Sequence, residues 1–173
     1  YNGVNWDQFK KLFSDSAKDT SLNISWHNFK SCLKSEDNIL EQIDAFLGGE
    51  DPLWGTHYPY GLEGHFDPVK VSKFRSMASA LKENKDCDIE IIYGVGSSLI
   101  ELWDSLWYID IPKDVIQERA RKGDCSVIGK KEPSDFGYFY KRSYFVDWPA
   151  LNRCKKNLLP SIDTLVDLQD EKN

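Results

Sequence analysis

Two glycines and two arginines have the residue types and spacing of a ligand-binding site. Gly94 and Gly96 follow an apolar run, and Arg119 and Arg121 lie one predicted strand further along the chain. Glycine lets backbone N–H groups approach a ligand closely, and arginine forms paired hydrogen bonds with phosphates. Because open α/β sheets bind ligands where their strands end, this spacing predicts a pocket for an anion, above all a phosphate.

The same residues also have purely structural explanations. Two glycines after a strand can form a simple tight turn. Cations in the last turn of a helix stabilise its dipole, which would account for Arg119 and Arg121 without a ligand. Both explanations stay open at the level of the sequence.

Two further segments add candidate residues. Lys141 and Arg142 form a second cationic cluster, which could close over a phosphorylated ligand as a lid; a solvated basic surface is the alternative. Asp51 lies in a loop with a proline and a glycine. Its carboxylate could accept a hydroxyl proton or hold Mg²⁺ through water, and an aspartate that only forms a turn is the alternative.

Familiar catalytic and metal-binding motifs are missing from the sequence. The spacing of His57, Glu63, His65 and Asp67 matches no usual ligand pattern, so no metal site is predicted. A GxxxxGK(S/T) phosphate loop, a GxSxG elbow and an HExxH motif do not occur. A phosphate-transfer enzyme of the P-loop type needs the lysine and hydroxyl of the first motif.

Composition limits the function classes. The chain has 173 residues, of which 40% are hydrophobic, enough for one domain with a real core. Its net charge of −6 argues against nonspecific nucleic-acid binding. No apolar run approaches the roughly 20 residues that span a bilayer, so no membrane partner is expected. Four scattered cysteines and no signal peptide favour a cytoplasmic location with reduced thiols. Because the first residue is not Met, we expect a fragment of a longer protein.

Hydrophobic periodicity predicts the elements that would position these residues. The predicted helices cover residues 6–17, 35–47, 68–84, 97–105, 112–122 and 149–159, and the predicted strands cover 22–26, 88–93, 106–111 and 164–168. Between them lie a long irregular loop (50–67), a polar segment that reads as a mobile flap (123–137) and an ambiguous segment (138–147).

Alternating strands and helices predict an α/β fold, a three-layer sandwich with a mainly parallel sheet and helices on both faces. Sheets of this kind usually have a central strand that leads into the first helix. This chain begins with a turn at residues 1–4. The central strand is therefore expected upstream of residue 1, or it has been lost.

Six segments occur in the same order as in one group of proteins: 51–56 (DPLWGT), 66–70 (FDPVK), 91–96 (IIYGVG), 108–112 (YIDIP), 140–148 (YKRSYFVDW) and 162–167 (IDTLVD). Over roughly residues 1–167 the chain resembles the kinase-like N-terminal region of bacterial proteins whose C-terminal half is similar to class I mannose-6-phosphate isomerase, a zinc cupin. Segment 140–148 is the most specific part of the resemblance.

The resemblance implies a single kinase-like α/β domain over residues 1–173, related to P-loop nucleoside and nucleotide kinases but with a degenerate phosphate loop. By this resemblance Gly3 belongs to a Tyr-x-Gly-Val turn that replaces the phosphate loop, and Arg119 and Arg121 match lid arginines. Asp51 matches the position of a substrate-binding or base carboxylate.

Three functions follow from these observations. The first is a binding or regulatory module that recognises a phosphorylated sugar or nucleotide and serves a cupin isomerase domain in cis or in trans. The second is an active small-molecule kinase that uses ATP and Mg²⁺, with Asp51 as base and the four cationic side chains as charge clamps. The third is a structural or dimerisation domain, which the six tryptophans could support.

Overall fold

Residues 3–84 and 86–168 are described in the computed structural model of this chain. Over these ranges the protein is a mixed α/β domain. Its helices are α1 (Trp6–Ala17), α2 (Glu36–Ile43), α3 (Pro68–Leu81), α4 (Lys113–Lys122), α5 (Phe136–Arg142) and α6 (Trp148–Leu158). Its strands are β1 (Ile24–Asn28), β2 (Ile89–Tyr93), β3 (Trp107–Asp110) and β4 (Thr164–Asp167). None of the helices in the described ranges is both long and apolar enough to cross a bilayer.

Short polar side chains determine where four of the helices begin. Asn5, Ser35, Asp67 and Asp135 each accept a hydrogen bond from a backbone N–H group in the first turn of α1, α2, α3 and α5, respectively. Such caps satisfy donors that have no partner inside the helix. In α3 a proline, Pro68, follows the cap and fixes the backbone of the first turn.

The four strands form two parallel pairs. β1 pairs with β2 in the register Ile24–Ile89, and β3 pairs with β4 in the register Trp107–Thr164. The predicted parallel strands are therefore present. The single continuous sheet of a three-layer sandwich is not, because β2 and β3 are not hydrogen-bonded to each other in the described structure.

In the described part of the chain three apolar clusters make up the core, and each joins helices to strands or loops. The first includes Phe29, Leu62, Phe66, Ala78, Ile100, Ile128, Trp148 and Leu151. The second includes Val4, Ile111, Ile116, Ala120, Val127 and Phe139. The third includes Ile39, Ile43, Tyr58, Val146 and Ala150.

Two predicted segments differ from the structure. The segment 123–137, expected to be a polar flap, buries Cys125, Val127 and Ile128 in the core. The helix expected over 97–105 is only a single 3₁₀ turn, Ser97–Ile100, because Glu101 adopts a left-handed backbone conformation (φ +53°) that ends it.

The segment with no clear prediction, 138–147, is helical. α5 runs to Arg142 and continues through a π-helical turn, Ser143–Asp147, directly into α6. The predicted long loop 50–67 is irregular apart from one 3₁₀ turn, Leu62–His65, and an isolated antiparallel bridge between Phe66 and Leu33.

Candidate functional site

The glycine bend after β2 is required by packing. Gly94 and Gly96 have φ values of +112° and +80°, which glycine adopts readily. A Cβ atom on Gly96 would overlap the ring of Phe66, a core residue that is 3% exposed. The tight-turn explanation for these two glycines therefore has a specific structural basis.

A cavity of about 660 Å³ lies between the two strand pairs. All five residues of β2 line it, and so do Trp107, Tyr108 and Ile109 of β3. Side chains of α1, α3 and α6 complete its walls, among them Phe13 and Leu151. Gly94 and Gly96 also lie in the wall, but the cationic candidates do not.

Helix α1 covers one face of the strands, whereas α3 and α6 cover the other. Tyr93 packs against Trp6 of α1 with a centroid distance of 4.8 Å, while the adjacent Ile92 packs in the cluster that contains Ala78 of α3. Successive side chains of a strand point to opposite faces. Helices therefore pack against both faces of β2.

Gly3 and Arg119, two of the predicted site residues, contact each other in the structure. Arg119, in the last turn of α4, donates a hydrogen bond from its guanidinium group to the carbonyl oxygen of Gly3. A Cβ atom on Gly3 would lie 3.5 Å from Ile111, the residue that follows β3. The turn that leads into α1 therefore lies at the carboxyl end of β3.

An ion pair occurs at the same end of β3. Lys155 of α6 lies 2.6 Å from the carboxylate of Asp110, the last residue of the strand, and both side chains are about one-third exposed. Neither residue was among the predicted site residues, although the position of Asp110 at the end of an apolar strand is the signal that could have found it. We call Gly3, Asp110, Arg119 and Lys155 the strand-end site.

Arg121 points away from the strand-end site. Its guanidinium group lies 4.2 Å from the ring centroid of Phe136, in a cation–π contact at the surface. Residues two positions apart on a helix do not share a face, so only one of the two arginines reaches the turn at Gly3.

The side chain of Lys141 contacts the backbone around Asp51 and not the carboxylate of Asp51. The ammonium group of Lys141 donates to the carbonyl oxygens of Gly49 and Asp51. The carboxylate of Asp51 accepts hydrogen bonds from the amides of Leu53 (2.8 Å) and Trp54 (2.9 Å), and these bonds hold the pKa of Asp51 below its usual value. These are the contacts of a turn-forming aspartate, and a lowered pKa makes its carboxylate a weaker base.

The prediction of Arg142 as a phosphate ligand is wrong, because its side chain is only 1% exposed. Its guanidinium group donates to the carbonyl oxygen of Ile128 and lies 3.6 Å from the carboxylate of Asp147. His65, fully buried, lies 3.8 Å from the same carboxylate. We call Arg142, Asp147 and His65 the buried polar cluster. Its cation is neutralised inside the protein and is not accessible to a ligand.

Burial also lowers the pKa of His65, which the nearby Arg142 lowers further while Asp147 opposes the shift. The imidazole is therefore neutral near pH 7. Among the described residues, no three His, Cys, Asp or Glu side chains are grouped so that they could hold a metal ion.

These features define a mixed α/β domain with paired parallel strands and a candidate anion site at one strand end. The chain belongs to the family described as "Domain of unknown function (DUF8485)", whose model matches residues 1–173. No curated protein matches the chain, and no solved structure does.

Proposed function

We propose that this domain binds a phosphorylated small molecule, a sugar phosphate or a nucleotide, at the strand-end site. The hydrogen bond between Arg119 and Gly3 carries the proposal, because it holds a guanidinium group against the turn that begins α1. Helix N-termini and arginine side chains both favour phosphate groups. The fold proposed with this function is a kinase-like three-layer sandwich with a degenerate phosphate loop.

Binding without phosphoryl transfer fits the contacts better than catalysis does. Val4 and Asn5 follow Gly3, so the turn lacks the lysine and hydroxyl of a phosphate loop. The alternative, a kinase that uses ATP and Mg²⁺, needs Asp51 as its base. In the structure that carboxylate is occupied by two backbone amides. A kinase would have to break these hydrogen bonds during its cycle.

The resemblance to the region that precedes cupin isomerases supports a role for this ligand. In this proposal the domain senses a phosphorylated metabolite in the cytoplasm and serves an isomerase of the mannose-6-phosphate type, either in the same chain or as a separate partner.

One observation favours the structural or dimerisation alternative. Leu53 and Trp54 are 85% and 71% exposed at the tip of a loop that Lys141 fastens to α5. Large apolar side chains exposed on a fixed loop are typical of protein–protein contacts.

A thermal-shift experiment tests the proposal with ATP·Mg²⁺, mannose 6-phosphate and fructose 6-phosphate as separate probes. A ligand at 100 times its Kd stabilises the folded state by about 2.7 kcal/mol, which raises the Tm of a domain of this size by roughly 5–11 °C. We expect a shift with at least one probe. Each variant is compared with its own ligand-free Tm, since Arg119→Ala also removes the bond to Gly3.

Arg119→Ala should abolish the ligand-induced shift, whereas the matched control Arg121→Ala should keep it. A shift with ATP·Mg²⁺ that is accompanied by transfer or release of phosphate would support the kinase instead. A panel with no shift would contradict phosphate binding and leave the structural role.

A further inference from the structure

The cavity between β2 and β3 has the form of an empty strand position. We propose that a fifth strand fills it, parallel to β2 and β3 and formed by residues that precede position 1 in the native chain. We call this cavity the strand slot. The proposal is independent of phosphate binding and concerns how the domain is completed.

One wall of the strand slot is the edge of β2 that pairs with no strand in the described ranges. The amide of Ile89 donates to the carbonyl oxygen of Asn23, at the beginning of β1, over 3.1 Å. Ile89 therefore directs its peptide groups towards β1. Because peptide groups alternate along a parallel strand, those of Glu90 and Ile92 point away from β1, towards the slot.

The opposite wall is the edge of β3 that faces away from β4, which likewise has no partner strand among residues 3–84 and 86–168. The carbonyl oxygen of Leu106 accepts a hydrogen bond from the amide of Thr164, and that of Asp110 accepts one from the residue that follows β4. Leu106 and Asp110 therefore face β4. By the same alternation Trp107 and Ile109 direct their peptide groups towards the strand slot. Both residues line it.

The backbone groups on these two strand edges need hydrogen-bonding partners. Unpaired N–H and C=O groups in a buried environment are costly, and a free strand edge readily pairs with an extended chain. A strand inserted here would pair with β2 and β3 at once and would join the two separate strand pairs into one sheet.

Helices already cover both faces of the slot. Phe13 of α1 contacts Trp26 of β1 (5.5 Å between ring centroids) and Trp107 of β3 (6.1 Å), so α1 reaches across from one strand pair to the other. On the opposite face α3 and α6 contribute Ala78 and Leu151. A strand covered on both faces reads as a continuous apolar run, so the occupant should be about five apolar residues, roughly 17 Å long.

The course of the chain identifies the occupant as the preceding segment. Val4 lines the slot, and Gly3 packs beside Ile111, just beyond the carboxyl end of β3. A parallel strand in the slot would end at that same edge. Residues 3–5 would then belong to the short connection from that strand to α1.

Amide hydrogen exchange of the native chain, with its upstream residues, tests the proposal against the chain of residues 1–173. In the native chain the amides of Glu90, Ile92, Trp107 and Ile109 should exchange at least about 100-fold more slowly than in the shorter chain. The amides of Ile91 and Tyr93 provide a control in the same strand, because they already bond to β1 and should be protected in both chains.

If the shorter chain does not fold, amide exchange in the native chain alone still tests the proposal. In that case Glu90 and Ile92 should be as well protected as Ile91. Rapid exchange at Glu90 and Ile92 in the native chain would overturn the proposal. Protection that requires a second copy, seen as a dependence on protein concentration, or that requires an added small molecule would overturn it as well.

Discussion

Removing the negative charge of the buried polar cluster should strongly destabilise the protein. Asp147→Asn leaves the guanidinium group of Arg142 buried without a counter-ion, at 1% exposure of its side chain. The asparagine can still accept the bond that the amide of Ile128 donates over 3.0 Å. The substitution therefore isolates the loss of charge from the loss of that hydrogen bond.

The expected loss is about 3–5 kcal/mol, the usual cost of breaking one partner of a buried ion pair. A domain of this kind has about 5–15 kcal/mol of total stability, so the loss is a large fraction of it. At roughly 2–4 °C per kcal/mol for this chain length, the Tm should fall by about 6–20 °C.

Urea unfolding followed by tryptophan fluorescence and circular dichroism measures the effect. The matched control is Glu118→Gln, which removes the partner of Lys122 from an ion pair in which both side chains are more than 60% exposed. That change should leave the free energy of unfolding nearly unaltered, since exposed pairs contribute little.

A double variant tests the cause. Arg142→Met together with Asp147→Asn removes both charges and should recover much of the stability that Asp147→Asn loses. A loss below about 1 kcal/mol for Asp147→Asn with an unchanged m-value would contradict a role of the buried charge, and so would a double variant that is no more stable than the single one.

Three further predictions concern other parts of the structure. Gly96→Ala should lower the free energy of unfolding by about 2–5 kcal/mol, because alanine adds left-handed backbone strain and overlaps Phe66. The matched control Gly123→Ala, at a similar φ and with nothing within 4 Å of the added Cβ atom, should lower it by about 1–2 kcal/mol through strain alone. Equal losses in chemical unfolding would contradict the overlap. Burial holds the pKa of His65 below its ordinary 6.5, so the unfolded chain binds the extra proton first as the pH falls. The free energy of unfolding should therefore decrease below about pH 6.5, by up to about 1.4 kcal/mol per pH unit. In urea titrations at about pH 5–7, His65→Gln should reduce this slope, and an unchanged slope would assign the effect to other groups. Burial raises the pKa of the Cys125 thiol to about 11. A thiol reagent at about pH 8 should therefore modify the partly exposed Cys87 in the native protein, and Cys125 only in urea. Fast labelling of Cys125 in the native protein, located by mass spectrometry, would show that Cys125 is not buried.

Local signals were enough to predict most elements of the fold. The apolar runs of β2 and β3 and the capped starts of α1 and α3 depend on neighbouring residues, and the structure confirms them within a few positions. β1 lies two residues later than predicted, at 24–28 instead of 22–26. Alternation in such a short run does not fix the register.

Contacts between distant segments could not be predicted from local patterns. Val127 and Ile128 lie among charged and small residues. The polar composition of segment 123–137 therefore predicted an exposed segment, although these two side chains belong to the core. The cationic pair Lys141 and Arg142 looked like one surface cluster. In the structure the first fastens a loop and the second is buried against Asp147, because adjacent helical positions face different surroundings.

The candidate site shows the same division. The spacing of Arg119 and Arg121 predicted that only one could face a given side, but not which one. The selection of Arg119 depends on Gly3, which lies 116 positions away in the sequence. Asp110 and Lys155 meet only because α6 returns across the end of β3.

The π-helical turn between α5 and α6 explains how the two charges of the buried cluster can meet on one helix. Arg142 and Asp147 are five positions apart, and in a regular α-helix such side chains diverge by about 140° around the axis. The wider turn, with bonds between residues five apart, brings them back into one column. The π-helical turn therefore also sets the direction in which the side chains of α6 point. Trp148 and Leu151 are buried, although the continuous helix contains one residue more than a regular α-helix would place in that turn.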